Sequence, residues 1–357
     1  MKSDRIELPE GTAPRGICTA DEILLVIPTL NESRHIADCL ASLIGDDPFM
    51  AGVRTVVADG GSTDGTTDIV RGLMTRYPRL ELVHNPLRLQ SAAINLAVDR
   101  CAGPGHRILV RCDAHAIYPP GYVRAVADSL SSRPDAASLA TVMDATGGQT
   151  RLQEAAAWAV DTLLGSGGSA HRGGTRSQWV DHGHHAGFRL AWFRRIGGYD
   201  PSFSHNEDAE YDHRLALAGG QVWLDADIRM QYVMRPTLAG LARQYWHYGR
   251  GRARTVRKHH LRPRLRQLFP VAVALTMGLG LVLAPFAPLV LIAPAIYLVL
   301  MLKMSLLGLF ILRSPSGLLA GVALAVMHNA WGAGFLWQVL RGAPQSAPAA
   351  DPVDSLT

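Results

Sequence analysis

The 357-residue sequence predicts an α/β domain built on a doubly wound, mostly parallel sheet and followed by membrane-crossing helices. Three observations carry that expectation. Between residues 23 and 115, apolar runs of strand length alternate four times with helical segments. Polar clusters follow the first, second and fourth runs, at strand C-termini, where open α/β sheets take their ligands. Finally, residues 268–302 hold no charged side chain, and roughly 20 such positions suffice to cross a bilayer.

Taken in order, residues 1–20 mix Pro, Gly and charge without periodicity and are expected to form a loose tail. The run over 23–27, Ile-Leu-Leu-Val-Ile, reads as a buried strand closed by Pro28-Thr29-Leu30-Asn31-Glu32-Ser33. Ser33 suits the N-cap of a helix reaching residue 43. A second unit runs from a strand over 54–59 through Asp59-Gly60-Gly61-Ser62 into a helix over 67–77. A third pairs a strand over 80–84 with a helix over 90–100, and a fourth strand ends in Arg111-Cys112-Asp113-Ala114-His115. Another strand is expected over 134–143 and another helix over 152–164. Beyond a Gly197-Gly198-Tyr199-Asp200 turn, apolar residues at 209 and 215–217 predict a helix whose first turn carries Glu207 and Asp208. Neighbours on a helix point about 100° apart, so only one of the two can serve as a base.

The expected division is a sheet domain over 21–235, a basic and aromatic interfacial helix over 236–266, about three membrane helices over 267–341 and a disordered tail over 342–357. The spans fall at 268–284, 288–312 and 318–340, with Lys303 near one end and His328-Asn329 facing protein. Net charge is +5, yet nine Lys or Arg and no acid lie between residues 243 and 266. The basicity therefore belongs to a juxtamembrane segment that favours anionic head groups and the cytoplasmic side, and it speaks against nucleic acid as a partner. Cys18, Cys39, Cys101 and Cys112 show no paired spacing and read as reduced, buried thiols. No secretory leader is expected from the first residues.

Asp113 and His115 point to the same side of an extended chain. One oxygen and one nitrogen suit Mg2+ or Mn2+ when phosphate oxygens and water complete the shell. A Gly-Gly turn after Asp59 lets backbone approach a nucleotide closely. Neither Gly-x-Gly-x-x-Gly nor a P-loop pattern is present, which excludes the commonest dinucleotide and NTPase readings. Adjacent histidines rarely reach one tetrahedral ion, so Asp181-His182-Gly183-His184-His185 reads as a loop lining a cleft.

Together these motifs, with Asn206-Glu207-Asp208 and Gln244-Tyr245-Trp246-His247-Tyr248-Gly249-Arg250-Gly251-Arg252, resemble the family 2 glycosyltransferases over roughly residues 21–260. The chain is most similar to the exopolysaccharide-building members in its 111–115, 205–210 and 248–252 runs. The resemblance implies a GT-A fold, a UDP-sugar donor whose uridine meets Glu32 and Asp59, a metal on Asp113 that bridges the diphosphate, and Asp208 as the base. The wider donor set would be Pro28, Asn31, Glu32, Asp59, Gly61, Ser62, Arg111 and Asp113, with Asp113 and His115 on the metal. His205, Gln244, Tyr248, Arg250 and Arg252 would meet acceptor or diphosphate. His115 replaces the last Asp of the usual Asp-x-Asp, and the Gln-x-x-Arg-Trp motif of processive synthases is absent. The expected function is thus a metal-dependent, inverting transfer of one hexose, glucose from UDP-glucose, to a lipid-linked (polyprenyl diphosphate) saccharide at the inner cell membrane, with the catalytic domain cytoplasmic. The alternatives are a polyprenyl-phosphate sugar synthase and a non-catalytic nucleotide-sugar-binding membrane protein.

Overall fold

A computed structural model describes residues 18–45 and 47–341, so the tail expected over 342–357 and nearly all of the one over 1–20 lie outside it. The strands are β1 (Ile23–Thr29), β2 (Arg54–Asp59), β3 (Leu80–His84), β4 (Ile108–Arg111), β5 (Ala136–Thr146), β6 (Gln178–Val180), β7 (His184–Arg189) and β8 (Gln221–Val233). They form one sheet in the order β3-β2-β1-β4-β7-β5-β8-β6. Within it β1 to β4 are mutually parallel, β5 and β8 are parallel to each other, and β6 and β7 pair antiparallel with their neighbours.

The helices are α1 (Ile36–Leu43), α2 (Thr66–Met74), α3 (Gln90–Cys101), α4 (Tyr122–Ser132), α5 (Arg151–Asp161), α6 (Leu163–Ser166), α7 (Leu190–Arg195), α8 (Glu207–Leu217), α9 (Leu238–Lys258), α10 (Leu265–Leu283), α11 (Ile292–Leu312) and α12 (Ala320–Arg341). Strand alternation sorts the core onto two faces. Ile23, Leu25 and Ile27 pack with residues of α1 and α4, whereas Leu24 and Val26 pack with residues of α3, α7 and α8. Being buried on both faces explains why β1 reads as a continuous apolar run.

Strand order reverses between β1 and β4, so their C-terminal loops, 30–33 and 112–115, flank the crevice in which such sheets bind ligands. The sequence did not announce β6, β7 or β8. His184 and His185 open β7 rather than lying in a loop, because the strand is short and completed by pairing with β4 and β5. Ser33 is not the cap of α1, which begins after a turn at Ile36.

Helices α10, α11 and α12 are long and apolar enough to cross a membrane. Leu281, Phe286, Leu289, Phe310 and Leu340 are exposed on them or their connections, as a lipid-facing band would be. The amphipathic α9 lies against α12 at very short range. A Cβ on Gly249 would overlap the backbone of Trp331, and one on Gly334 would overlap the backbone of Trp246. Small residues allow that approach, as at helix interfaces within membranes. Gly249→Val should separate the two helices at a cost of roughly 1–3 kcal/mol, seen as a lower melting temperature of the detergent-solubilised chain. An unchanged melting temperature would mean that the close seam contributes nothing.

Candidate active site

The C-terminal ends of β1 and β2 carry two loops that are stitched together by their own polar groups. Asn31, at a left-handed φ of 57°, accepts from the Thr63 amide at 2.9 Å, and its own amide donates to Ser62 Oγ at 2.7 Å. The Glu32 amide donates to Thr66 Oγ1 at 2.9 Å and the Ser33 amide to Asp64 Oδ2 at 3.0 Å. Asp59 is buried and spent on the same structure: Oδ2 accepts from the Gly61 and Ser62 amides at 2.8 and 2.9 Å, and Oδ1 from Ser62 Oγ at 2.5 Å. Pro28 sits within β1 opposite Ala58. Of the expected donor residues, Asp59, Asn31 and Ser62 thus shape the shelf, and the side chain of Glu32 reaches across the crevice to His115 Nδ1 at 3.2 Å.

Beside this shelf lies a cavity of about 930 Å³ whose wall includes Arg111, Asp113, His115, Glu207 and Asp208. It brings together two motifs that are 97 residues apart in the chain. Arg111, at the end of β4, is 5% exposed and carries three carboxylates around it. Its Nη1 donates to Asp208 Oδ1 at 2.7 Å and to Tyr199 Oη at 3.1 Å, while Nη2 lies 3.5 Å from Asp113 and 3.7 Å from Glu207. Tyr199 Oη also donates to Asp208 Oδ1, at 2.6 Å. Arg111, expected to meet the nucleotide sugar, is bonded to Asp208 and lies beside Asp113 and Glu207.

These contacts separate the two acids. Burial pushes the Asp208 carboxyl up, but Arg111 and then His185 and His184 outweigh it and hold Asp208 well below the usual range. Burial and the adjacent Asp208 charge push Glu207 up to about 7, against the pull of Arg111. Asp208 therefore stays ionised at neutral pH and keeps Oδ2 without a hydrogen-bond partner among the described residues. Asp113, buried but opposed by Arg111, is likewise held low.

Two histidines lie near Asp113. His115 is engaged by Glu32, whereas His184, at the start of β7, brings Nε2 to 3.8 Å from Asp113 Oδ2. Burial pushes His184 down to about 4, so it carries a free lone pair at neutral pH. Gln90 also donates to Asp113, at 3.2 Å. No group of three His, Cys, Asp or Glu among the described residues is arranged to hold an ion alone.

The sequence reading missed Tyr199, His184 and Asp212. Tyr199 follows the Gly-Gly turn read only as punctuation, and Asn95 fixes its backbone through bonds of 2.7 and 2.9 Å. Asp212, one turn beyond Asp208, is buried between His182 Nδ1 at 2.7 Å and His185 Nε2 at 2.5 Å. Among the residues expected to meet acceptor or diphosphate, Gln244 bonds to the hydroxyls of Tyr232 and Tyr248, and all three line the cavity. His205 stacks on His247 with ring centres 4.4 Å apart, and Arg252 also lines the wall. Arg250 does not, since its Nε donates to Gln338 of α12 at 3.3 Å.

The model of the glycosyl transferase family 2 domain matches residues 24–197. The succinoglycan biosynthesis protein ExoA of Rhizobium meliloti strain 1021 is 43% identical over 323 residues, covering 90% of this chain and 96% of that protein. A dolichyl N-acetyl-alpha-D-glucosaminyl phosphate 3-beta-D-2,3-diacetamido-2,3-dideoxy-beta-D-glucuronosyltransferase of Methanococcus voltae is 23% identical, covering 70% of this chain and 77% of that one. Among solved structures, mannosyltransferase PcManGT from Pyrobaculum calidifontis, in complex with GDP-Man and Mn2+, superposes with a TM-score of 0.55 at 19% identity and 91% coverage of both chains.

The split between the two acids has a thermodynamic signature. An ordinary Glu loses its proton near pH 4.5, whereas Glu207 retains it to about 7 in the folded chain, so stability is lost as pH rises through that window. Glu207→Gln removes the cost. It should raise the melting temperature at pH 8 and leave it nearly unchanged at pH 4.5, where wild-type Glu207 is already neutral. A gain of equal size at both values would refute the raised pKa.

Proposed function

The chain belongs to glycosyl transferase family 2, and on that premise we propose that it moves a hexose, glucose from UDP-glucose, with inversion onto a lipid-linked saccharide during exopolysaccharide assembly. The similarity to ExoA along nearly the whole of both chains supports the biosynthetic setting, since that protein is named for succinoglycan biosynthesis. The single observation that carries the chemistry is that Asp113 and Asp208 share one cavity, with Arg111 between them.

The donor would lie across the crevice between the 30–33 and 112–115 loops, its base on the stitched shelf and its diphosphate beside Asp113. Asp113 and His184, whose donor atoms are 3.8 Å apart, would hold a divalent cation, Mg2+ or Mn2+. When bound, such an ion offsets the charge that builds on the leaving diphosphate. His115, held to Glu32, then serves the donor shelf rather than the ion.

The chain's own groups perform the rest. Asp208, fixed by Arg111 and Tyr199 through Oδ1, presents Oδ2 to the acceptor hydroxyl. It takes that proton as the acceptor oxygen bonds to the anomeric carbon and the bond from that carbon to the diphosphate oxygen breaks. One displacement inverts the anomeric centre. The Tyr232–Gln244–Tyr248 group and the His205–His247 stack, which line the same cavity as the base, suit the acceptor sugar. Three apolar helices attach this domain to the membrane. The arginines at 262, 264, 266 and 313 favour an inner-membrane protein whose catalytic domain is cytoplasmic.

Asp208→Asn keeps the shape of the side chain and removes the base. Sugar transfer to the lipid fraction should fall by roughly 10²–10⁴-fold, while UDP affinity measured by calorimetry changes less than about threefold, well within 1 kcal/mol. A variant that still transfers sugar at near wild-type rate would remove Asp208 from the reaction.

A further inference from the structure

The cavity that holds the acid pair does not end there. It continues along Leu163 and Leu164 of α6, Phe269 and Pro270 of α10, and Met327 and Trp331 of α12, so its far wall is built from the membrane helices. Six arginines line it, and the three carboxylates in its wall, Asp113, Glu207 and Asp208, all surround one of them, Arg111. The other five, Arg172, Arg235, Arg243, Arg252 and Arg266, form no ion pair among the described residues.

Three of these mark a path from the base to the membrane. Arg252 of α9 is half-buried and lies within the electrostatic reach of Asp212, one turn along α8 from Asp208. Asp212 is already taken by two histidines, and the strongest charge acting on Arg252 is another cation, Arg266. Burial and that cation push the Arg252 guanidinium down to about 10. Arg266 reaches back to the Gly167 carbonyl at 3.4 Å, in the turn that follows Leu164, whose own carbonyl meets His328 Nε2 of α12 at 2.9 Å. Arg172 lies 4.7 Å from the centre of the Tyr232 ring, and its Nη1 is buried without a hydrogen-bond partner. Asp161 offsets part of the Arg172 charge, Asp212 part of that of Arg252 and Asp181 part of that of Arg266, none of them through an ion pair among the described residues. Half-buried cations such as Arg172 and Arg252 that no ion pair neutralises favour an anion that joins them.

We propose that Arg172, Arg252 and Arg266 bind the diphosphate bridge of a prenyl-linked saccharide acceptor, with its prenyl chain running out along α10 and α12 and its sugar reaching Asp208. The inference rests on the transferase reading above and adds the site and orientation of the acceptor. Arg252 lies within electrostatic reach of both Asp212, one turn from the base, and Arg266 at the start of α10, so a diphosphate held by this pair stands where the cavity meets the membrane helices.

Farnesyl diphosphate, binding to the full chain in zwitterionic nanodiscs, is the probe. Wild type should bind it, and Arg252→Gln with Arg172→Gln should weaken binding at least tenfold while UDP affinity stays within threefold. Arg252→Lys and Arg172→Lys should retain most of the affinity, which separates loss of charge from loss of fold. With a lipid-linked saccharide extract as acceptor, the Gln variants should raise KM at least tenfold with kcat within threefold. Farnesyl diphosphate bound equally by wild type and Gln variants would overturn the assignment, as would displacement of the probe by vesicles of phosphatidylglycerol at equal phosphate concentration, which would make the site a lipid head-group site. If no nucleotide sugar is turned over yet the arginine-dependent binding persists, the acceptor site stands and the transferase reading falls.

Discussion

One buried guanidinium organises the centre of this molecule. Arg111 stands at the end of a strand flanked on both sides by other strands, so its position is set by the sheet. Enclosing a charge there is costly, and the surrounding acids of Asp113, Glu207 and Asp208 offset that cost while being drawn within reach of one another. Their unequal distances from the cation do the rest. Asp208, bonded at 2.7 Å and supported by Tyr199, keeps its charge, and Glu207, at 3.7 Å beside an ionised neighbour, holds its proton more tightly. Two adjacent carboxyls on one helix thereby acquire different tasks through packing alone.

A second constraint joins this centre to the membrane. Helix α9 touches α12 through Gly249 and the His205–Asn206 backbone through Gly251, where a Cβ would come within 2.6 Å of the His205 carbonyl oxygen. That backbone leads directly into Glu207 and Asp208 by way of Asn206, which holds a left-handed φ of 66° and donates to Thr255 of α9. The helix packed along α12 is therefore also the buttress of the acid loop. The Tyr-Gly-Arg-Gly-Arg run thus owes its glycines to contact on two sides. Its arginines divide, Arg250 toward α12 and Arg252 toward the cavity.

The loops after β1 and β2 follow a different logic, in which polar groups are used up on geometry. The 30–33 and 59–66 loops bond to each other so fully that Asp59 and Asn31 present an ordered backbone rather than free side chains. Glu32 and His115 then close the crevice from opposite loops.

Much of this was legible in the sequence. The four strand and helix repeats, the three apolar spans, the helix carrying Glu207 and Asp208, and α9 up to Lys258 are local patterns of periodicity, turn chemistry and charge, which neighbouring residues dictate among themselves. What the tertiary structure alone decided were pairings between distant segments. The insertion of β7 between β4 and β5 brought His184 to within 3.8 Å of Asp113, a neighbour that spacing along the chain does not announce. The commitment of Arg111 to Asp208 and of Asp59 to its own loop likewise depends on which donors arrive from elsewhere. A side chain's partners in a buried site are fixed by the sheet order and helix seams that assemble it, and no local window of sequence contains that information.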